Sequence, residues 1–289
     1  MKTVLFPFAA ALALAACSSS KVDFQIDNPT AAPLSITLDG KTLQVPAQQA
    51  QPVTLAAGEH HLRSERLGDV RFIVYADTRG GLINPTLSEY VTANAIYLTS
   101  PDKAKNFGSI NARIELNGVT FEGPFKQTHD LFIDKDWTFG VREPFPDEQV
   151  VAHVDASGGK ISSKIFTAPD FIAYVETGMG QPGAFERARP GRYVTPRFAL
   201  EKAPATLPPL DPAYEAHAGP LRALYARHLR ATSADAQRAL RKEAFQAQMA
   251  FTTATATLGA SLPPSANEAC NTFVHAFGEL TGRSALVVP

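Results

Sequence analysis

Residues 36–46 read ITLDGKTLQVP and residues 114–124 read IELNGVTFEGP. Both fit Ile-x-Leu-[Asp/Asn]-Gly-x-Thr-[Leu/Phe]-x-x-Pro, with five positions identical. Asp-Gly and Asn-Gly are the favoured pairs for a two-residue hairpin turn, because both central residues there need positive φ. A proline closes each second strand, since it cannot donate to a further ladder. Duplicated hairpins commit a chain to antiparallel sheet. The flanking sequence agrees: Val22, Phe24 and Ile26 alternate with Asp23, Gln25 and Asp27, and Val70, Phe72 and Val74 repeat the period of two. That period marks a strand with one buried face.

The expected fold class is α+β, mainly β: two tandem β-sandwich-like modules over 22–100 and 101–203, followed by a helical segment. A Pro-rich linker, PATLPPLDP at 204–212, separates strands from helices. From 213 to 289 alanine, arginine and leucine dominate, and the apolar spacing predicts about three helices. One holds Leu221, Leu224 and Tyr225. Ser233 is the expected cap of a second, running to about Leu258, and Ser265 of a third, ended by Gly282.

The N-terminus carries an address. Lys2 precedes an apolar run from Val4 to Ala16, short of the roughly 20 residues a membrane span needs. The run ends in Leu14-Ala15-Ala16-Cys17, followed by three serines. This resembles the lipobox of bacterial lipoproteins. The resemblance implies a signal peptide over 1–16, cleavage before Cys17, acylation of Cys17 and a polar tether over 17–21. Ser18, rather than Asp, after the cysteine implies the outer membrane, with the body facing the periplasm. Residues 38–62 are weakly similar to PEGA-like β-repeats, through Leu55, Gly58, His60 and Leu62. That similarity implies a binding or spacer module and no reaction.

Charge excludes other classes. With 27 Lys+Arg against 28 Asp+Glu the net charge is −1, so no bulk basicity draws the chain to nucleic acid. Two cysteines exclude a disulfide-dense scaffold. With Cys17 acylated, Cys270 is expected as an unpaired helix residue.

Catalytic and ligand motifs are sparse. Gly-x-Ser-x-Gly, Ser-x-x-Lys and His-Glu-x-x-His do not occur. Gly178 to Gly183 fits Gly-x-Gly-x-x-Gly after a segment, Phe171 to Thr177, that reads as a strand. Pro190-Gly191 leaves no room for the helix a dinucleotide needs, so a loop is expected there and no nucleotide. Glu59-His60-His61 and the trio Asp130, Asp134, Asp136 lack metal-site spacing; the first reads as surface loop, the second as a strand and turn. Trp137 reads as core or hairpin packing. His153 and Asp155 could form a proton-transfer pair, or a polar pair at a strand end. No catalytic residue, metal or cofactor is therefore assigned.

Two loops suit partner binding. Residues 77–86 offer Arg79 and Asn84 beside glycines that allow close approach. Residues 186–193 offer Arg187, Arg189, Arg192 and Tyr193, and Arg and Tyr are frequent interface anchors. The expected function is a non-enzymatic, membrane-anchored envelope lipoprotein that binds a protein partner, with an inhibitor or immunity protein as one form. The alternatives are a structural or assembly lipoprotein contacting cell wall or outer-membrane machinery, and a hydrolase around His153 and Asp155.

Overall fold

The alternation at the start of the body becomes strand β1 (Lys21–Asn28), which buries Val22, Phe24 and Ile26 and exposes Asp23 and Gln25. The computed structural model describes residues 20–108, 112–149 and 156–289. β1 pairs antiparallel with β4 (Gln49–Ala56) and parallel with β7 (Gly81–Ile83), and β7 pairs with β12 (Phe132–Asp134). A second sheet runs β3 (Lys41–Val45), β2 (Leu34–Leu38), β5 (Gly58–Ser64), β6 (Gly68–Val74), β14 (Ala285–Val287). The inward faces of the two sheets share one core, including Phe24, Ile26, Ile36, Leu62, Phe72, Val74, Phe132 and Val287. Each such side chain contributes about 1.5–3 kcal/mol of burial free energy.

Both predicted hairpins form with the same geometry. β2 and β3 are joined by Asp39 and Gly40 at φ 48° and 77°. β9 (Ala112–Leu116) and β10 (Val119–Gly123) are joined by Asn117 and Gly118 at φ 47° and 84°. Ile36 and Leu38 are buried in one copy, Ile114 and Leu116 in the other. Their settings differ. β2 is sandwiched within its sheet, whereas β9 and β10 form a two-stranded sheet of their own.

That hairpin packs in a second core with β8 (Tyr90–Leu98), β11 (Phe125–Thr128), β13 (Gly159–Thr167) and helix α1 (Ala168–Gly178). The strand expected over Phe171 to Thr177 is instead part of α1. Thr167 caps it by accepting a hydrogen bond from the Asp170 N–H, and a proline sits in its first turn. Phe171, Ile172 and Val175 then fall on one helical face against this core.

Chain order and sheet order part at three places. β8, from the stretch expected as the first module, pairs with β11 and β13 of the second. β12 belongs to the sheet of β1, so the stretch expected as the second module lends a strand to the first. β14, from the last residues of the chain, pairs with β6 and closes the other sheet.

The helices are α3 (Pro212–His228), α4 (Ala234–Thr255) and α5 (Pro264–Gly282), after a short α2 (Ala184–Ala188) in the second unit. The fold is α+β, with its strands mostly before Ala168 and its long helices after the Pro-rich segment. Asp211 and Ser233 cap α3 and α4. Ser265 does not cap α5: the cap position is Pro263, and Pro264 opens the helix. Tyr214, Leu221, Tyr225, Leu240, Phe251, Phe273 and Phe277 form the bundle core. Among the described residues, no helix is long and apolar enough to cross a membrane.

The bundle docks on the outer face of the β6–β14 edge, where Ile73, Tyr75, Leu286 and Val288 meet Leu229 and Leu280. Gln237 of α4 is buried at this seam. Its amide donates to the carbonyls of Val74 and Ala231 and accepts from the Ala76 N–H. The side chain thus continues the hydrogen bonding of β6 past its last strand residue.

Candidate binding groove

The outward residues of β1 and β4 do not face open solvent alone. Asp23, Gln25, Pro52 and Thr54 form one wall of a groove of about 850 Å³. The segment 135–143 forms the other wall with Lys135, Trp137, Arg142 and Glu143, and Arg79 lines it as well.

Arg142 is the best-positioned polar group there. Its Nη2 donates to both carboxylate oxygens of Asp27, at 3.1 and 3.2 Å. Asp27 is fully buried and also accepts from the Tyr90 hydroxyl at 2.6 Å. Burial pushes the Asp27 carboxyl above its usual range, while the Tyr90 hydroxyl and the Arg142 guanidinium pull the other way. Arg142 makes no other hydrogen bond among the described residues, so its Nε and Nη1 remain available as donors.

The segment carrying Arg142 is held from behind. Lys164 of β13 is buried, and its Nζ donates to the carbonyls of Gly140, Val141 and Glu143 at 2.7, 3.1 and 2.6 Å. Burial lowers the Lys164 pKa, which the nearby Asp170 and Glu143 carboxylates oppose. The Glu143 side chain accepts the Gly140 N–H at 2.6 Å. Thr138 and Phe139 donate their N–H groups to the Ser163 carbonyl. Trp137, half-buried, packs on Leu82, Tyr90, Ile133, Val141 and Ile165. It has the packing role expected of it and also lines the groove.

The groove carries charges of both signs, and what sets its cations apart is their free hydrogen-bond donors. Arg79 and Lys135 form no ion pair among the described residues. Of the acids, Asp23 accepts from the Thr54 hydroxyl at 2.7 Å and Glu143 is bonded as above. Guanidinium and ammonium donors without acceptors, beside an indole, suit a carboxylate attached to an apolar or flat group.

The other expected contact residues divide. Asn84 is fully buried: its amide donates to the Ser88 carbonyl at 2.9 Å and its oxygen accepts the Ser88 N–H at 3.0 Å. It braces a turn and is withdrawn as a contact residue, because a loop asparagine with internal partners has nothing left to offer. Arg189 donates to Asn117 Oδ1 at 2.9 Å, which clamps its loop to the β9–β10 turn. Tyr193 is half-buried and donates to Glu89 at 2.5 Å. These two are structural as well. Arg187 lies in α2 and donates to the Pro182 carbonyl at 2.8 Å. Arg192 is the most exposed member, its side chain 94% exposed and its Nε 3.9 Å from the Glu186 carboxylate. Only Arg79 of the expected set lines the groove.

Remaining motifs resolve simply. Glu59-His60-His61 lies on β5 rather than in a loop, with His60 bonded to Asp39 at 2.6 Å and His61 exposed. Among the described residues, no three His, Cys, Asp or Glu side chains gather as a metal site. Asp130 and Asp134 pair with Arg283. Gly178 to Gly183 follows helix α1, not a strand, and so lacks the strand-turn-helix context of a dinucleotide loop. Cys270 is half-buried in α5, with its thiol pushed up by burial. Cys17, His153 and Asp155 lie outside the described residues.

Nothing in the local sequence marks Arg142, Asp27 and Lys164 as a set. Asp27 sits at a polar position of the β1 alternation and looks exposed; it is 115 residues from Arg142. Compared with protein-family models, with curated proteins and with solved structures, the chain matches none, so the groove's own chemistry carries the functional reading.

Proposed function

We propose that this protein is a non-enzymatic envelope lipoprotein, anchored through acylated Cys17, whose groove binds a protein partner through an acidic side chain. An inhibitor or immunity protein against an envelope-directed enzyme is one form of that role. The observation that carries the reading is Arg142, fixed by the buried Asp27 and left with free donors on a braced segment. A guanidinium held before the ligand arrives loses little freedom on binding, which favours affinity. Arg79 and Lys135 add positive charge that speeds encounter with an acidic surface. Wall polymer would be met by the Arg-rich loop at 186–193, and two of its residues, Arg189 and Tyr193, are engaged internally.

The chain has one tryptophan, Trp137, so its emission reports on the groove. Titration with a hexaglutamate peptide is expected to change that emission saturably and to weaken with salt. Arg79→Ala and Lys135→Ala should each weaken binding by about 5-fold, the scale of an exposed ion pair. An unchanged emission, or equal binding by a hexalysine peptide, would sink the acidic-partner reading.

A further inference from the structure

The place where the anchored chain enters the fold selects a second surface. Ser20, the first described residue, donates its hydroxyl to Asp77 at 3.1 Å and accepts the Asp77 N–H at 3.2 Å. Its carbonyl accepts the Ala57 N–H at 2.8 Å. Asp77 is in turn bound by Arg238 of α4 at 2.8 and 3.1 Å. Cys17 precedes Ser20 by three residues, a reach of about 10 Å at most. An acyl group on Cys17 would therefore be tethered within that reach of Ser20, which α4 meets through Asp77 and Arg238.

The outward face of α4 has the chemistry of a membrane contact. Arg238, Lys242, Phe245 and Met249 recur at helical spacing on one face. Leu240 and Phe251 occupy the buried side. Phe245 is 69% exposed and Met249 53% exposed, one turn apart. Phe245 lies about 10 Å along the helix axis from Arg238. Positive charge dominates what is left unpaired: Asp77 and Asp235 are held by Arg238, and Glu243 by Arg227. Lys242 and Arg241 form no ion pair among the described residues. Basic residues interleaved with a large exposed aromatic describe a helix lying in a bilayer interface, and anionic headgroups attract such a cluster.

We propose that the Arg238–Met249 face of α4 lies on the anionic lipid surface that carries the Cys17 anchor, with Phe245 and Met249 inserted at the headgroup boundary. This rests on the acylation of Cys17. It adds an orientation: the anchor and the helix face act as two membrane signals, where a single signal holds weakly.

The test uses the full chain, processed in its host and reconstituted in vesicles of phosphatidylethanolamine and phosphatidylglycerol. Mass spectrometry of the N-terminal peptide reads the state of Cys17. Brominated lipid reads depth, comparing the native protein, whose only tryptophan is Trp137, with the double variant Trp137→Phe, Phe245→Trp. The indole introduced at position 245 should lose about half its emission, as expected at a depth of roughly 5–10 Å. Trp137 in the native protein should lose almost none. Adding Lys242→Glu should reduce the quenching. Acylation of Cys17 without quenching at position 245 would overturn the face and leave the anchor standing. Equal quenching at 137 and 245 would also overturn it. So would a blue shift at 245 that grows with protein concentration without lipid, since that would make the occupant a second copy. An unacylated Cys17 would overturn both, because the entry point of the anchored chain is what singles out this face.

Discussion

Asp27 sits fully buried in β1, where an isolated carboxylate would not stay charged. Tyr90 and Arg142 make it tolerable, and Asp27 in return fixes the guanidinium that lines the groove. Arg142→Met should therefore cost stability as well as binding, about 2–3 kcal/mol at neutral pH. With the folded-state pKa of Asp27 raised still further, the deficit should shrink as pH falls toward its unfolded value of 3.8. Urea melts at two pH values would show this. His228 behaves in the opposite sense. It is buried, stacked on Tyr75 at 4.0 Å, and its Nε2 has no hydrogen-bond partner among the described residues. Burial lowers its pKa from 6.5 to about 4. The unfolded chain takes up the proton first, so stability is fully present above pH 6.5 and is lost as pH falls toward 4. His228→Phe should remove a pH-dependent loss of about 3 kcal/mol across that window. A melting profile with the same slope as the native protein would contradict this account. None of these buried pairings was legible in the sequence, because the Asp27–Arg142 contact spans 115 residues and polar residues at strand positions read as exposed.

Elements were more readable than contacts. Each hairpin turn needed two positive-φ residues, and the sequence supplied Asp-Gly and Asn-Gly. The alternation in β1 and the three long helices were legible for the same reason: their periods are written in local sequence. α1 was not, since Phe171, Ile172 and Val175 suit a strand equally until the Thr167 cap is weighed. β12 and β14 are three residues long, and their membership in the first sandwich depends on distant pairing. Glycines separate local from packing demands. A Cβ at Gly118 meets nothing within 4 Å, so Gly118→Ala should cost only its backbone strain, about 1–2 kcal/mol. A Cβ at Gly80 would lie 1.8 Å from the Asp23 carbonyl oxygen. Gly80→Ala should cost at least about 4 kcal/mol or prevent folding, because it drives the start of β7 away from β1. Denaturant midpoints of the two variants would compare them directly.

The whole molecule is tied together by its ends. β14 closes the sheet of β6, and the Val287 carbonyl accepts the Ala203 N–H while the Val288 N–H reaches the Arg71 carbonyl. Gln237 and Tyr75 bond across the seam between sandwich and bundle. Deleting residues 285–289 should expose Phe72 and Val74 and abolish cooperative thermal unfolding, rather than trim a tail. At the other end, Ser20 ties the entering chain to Asp77 and α4, two residues from Arg79 at the groove. The entering chain, the sandwich and the groove are thus joined through Ser20, Asp77 and Arg79. The most direct measurement is affinity purification of the full chain from solubilised cells of its host, in parallel with an Arg79→Glu, Lys135→Glu variant, with mass spectrometry of what is retained. The account predicts one stoichiometric protein with the native groove and its loss from the variant. The same partners on both, or none on either, would contradict it.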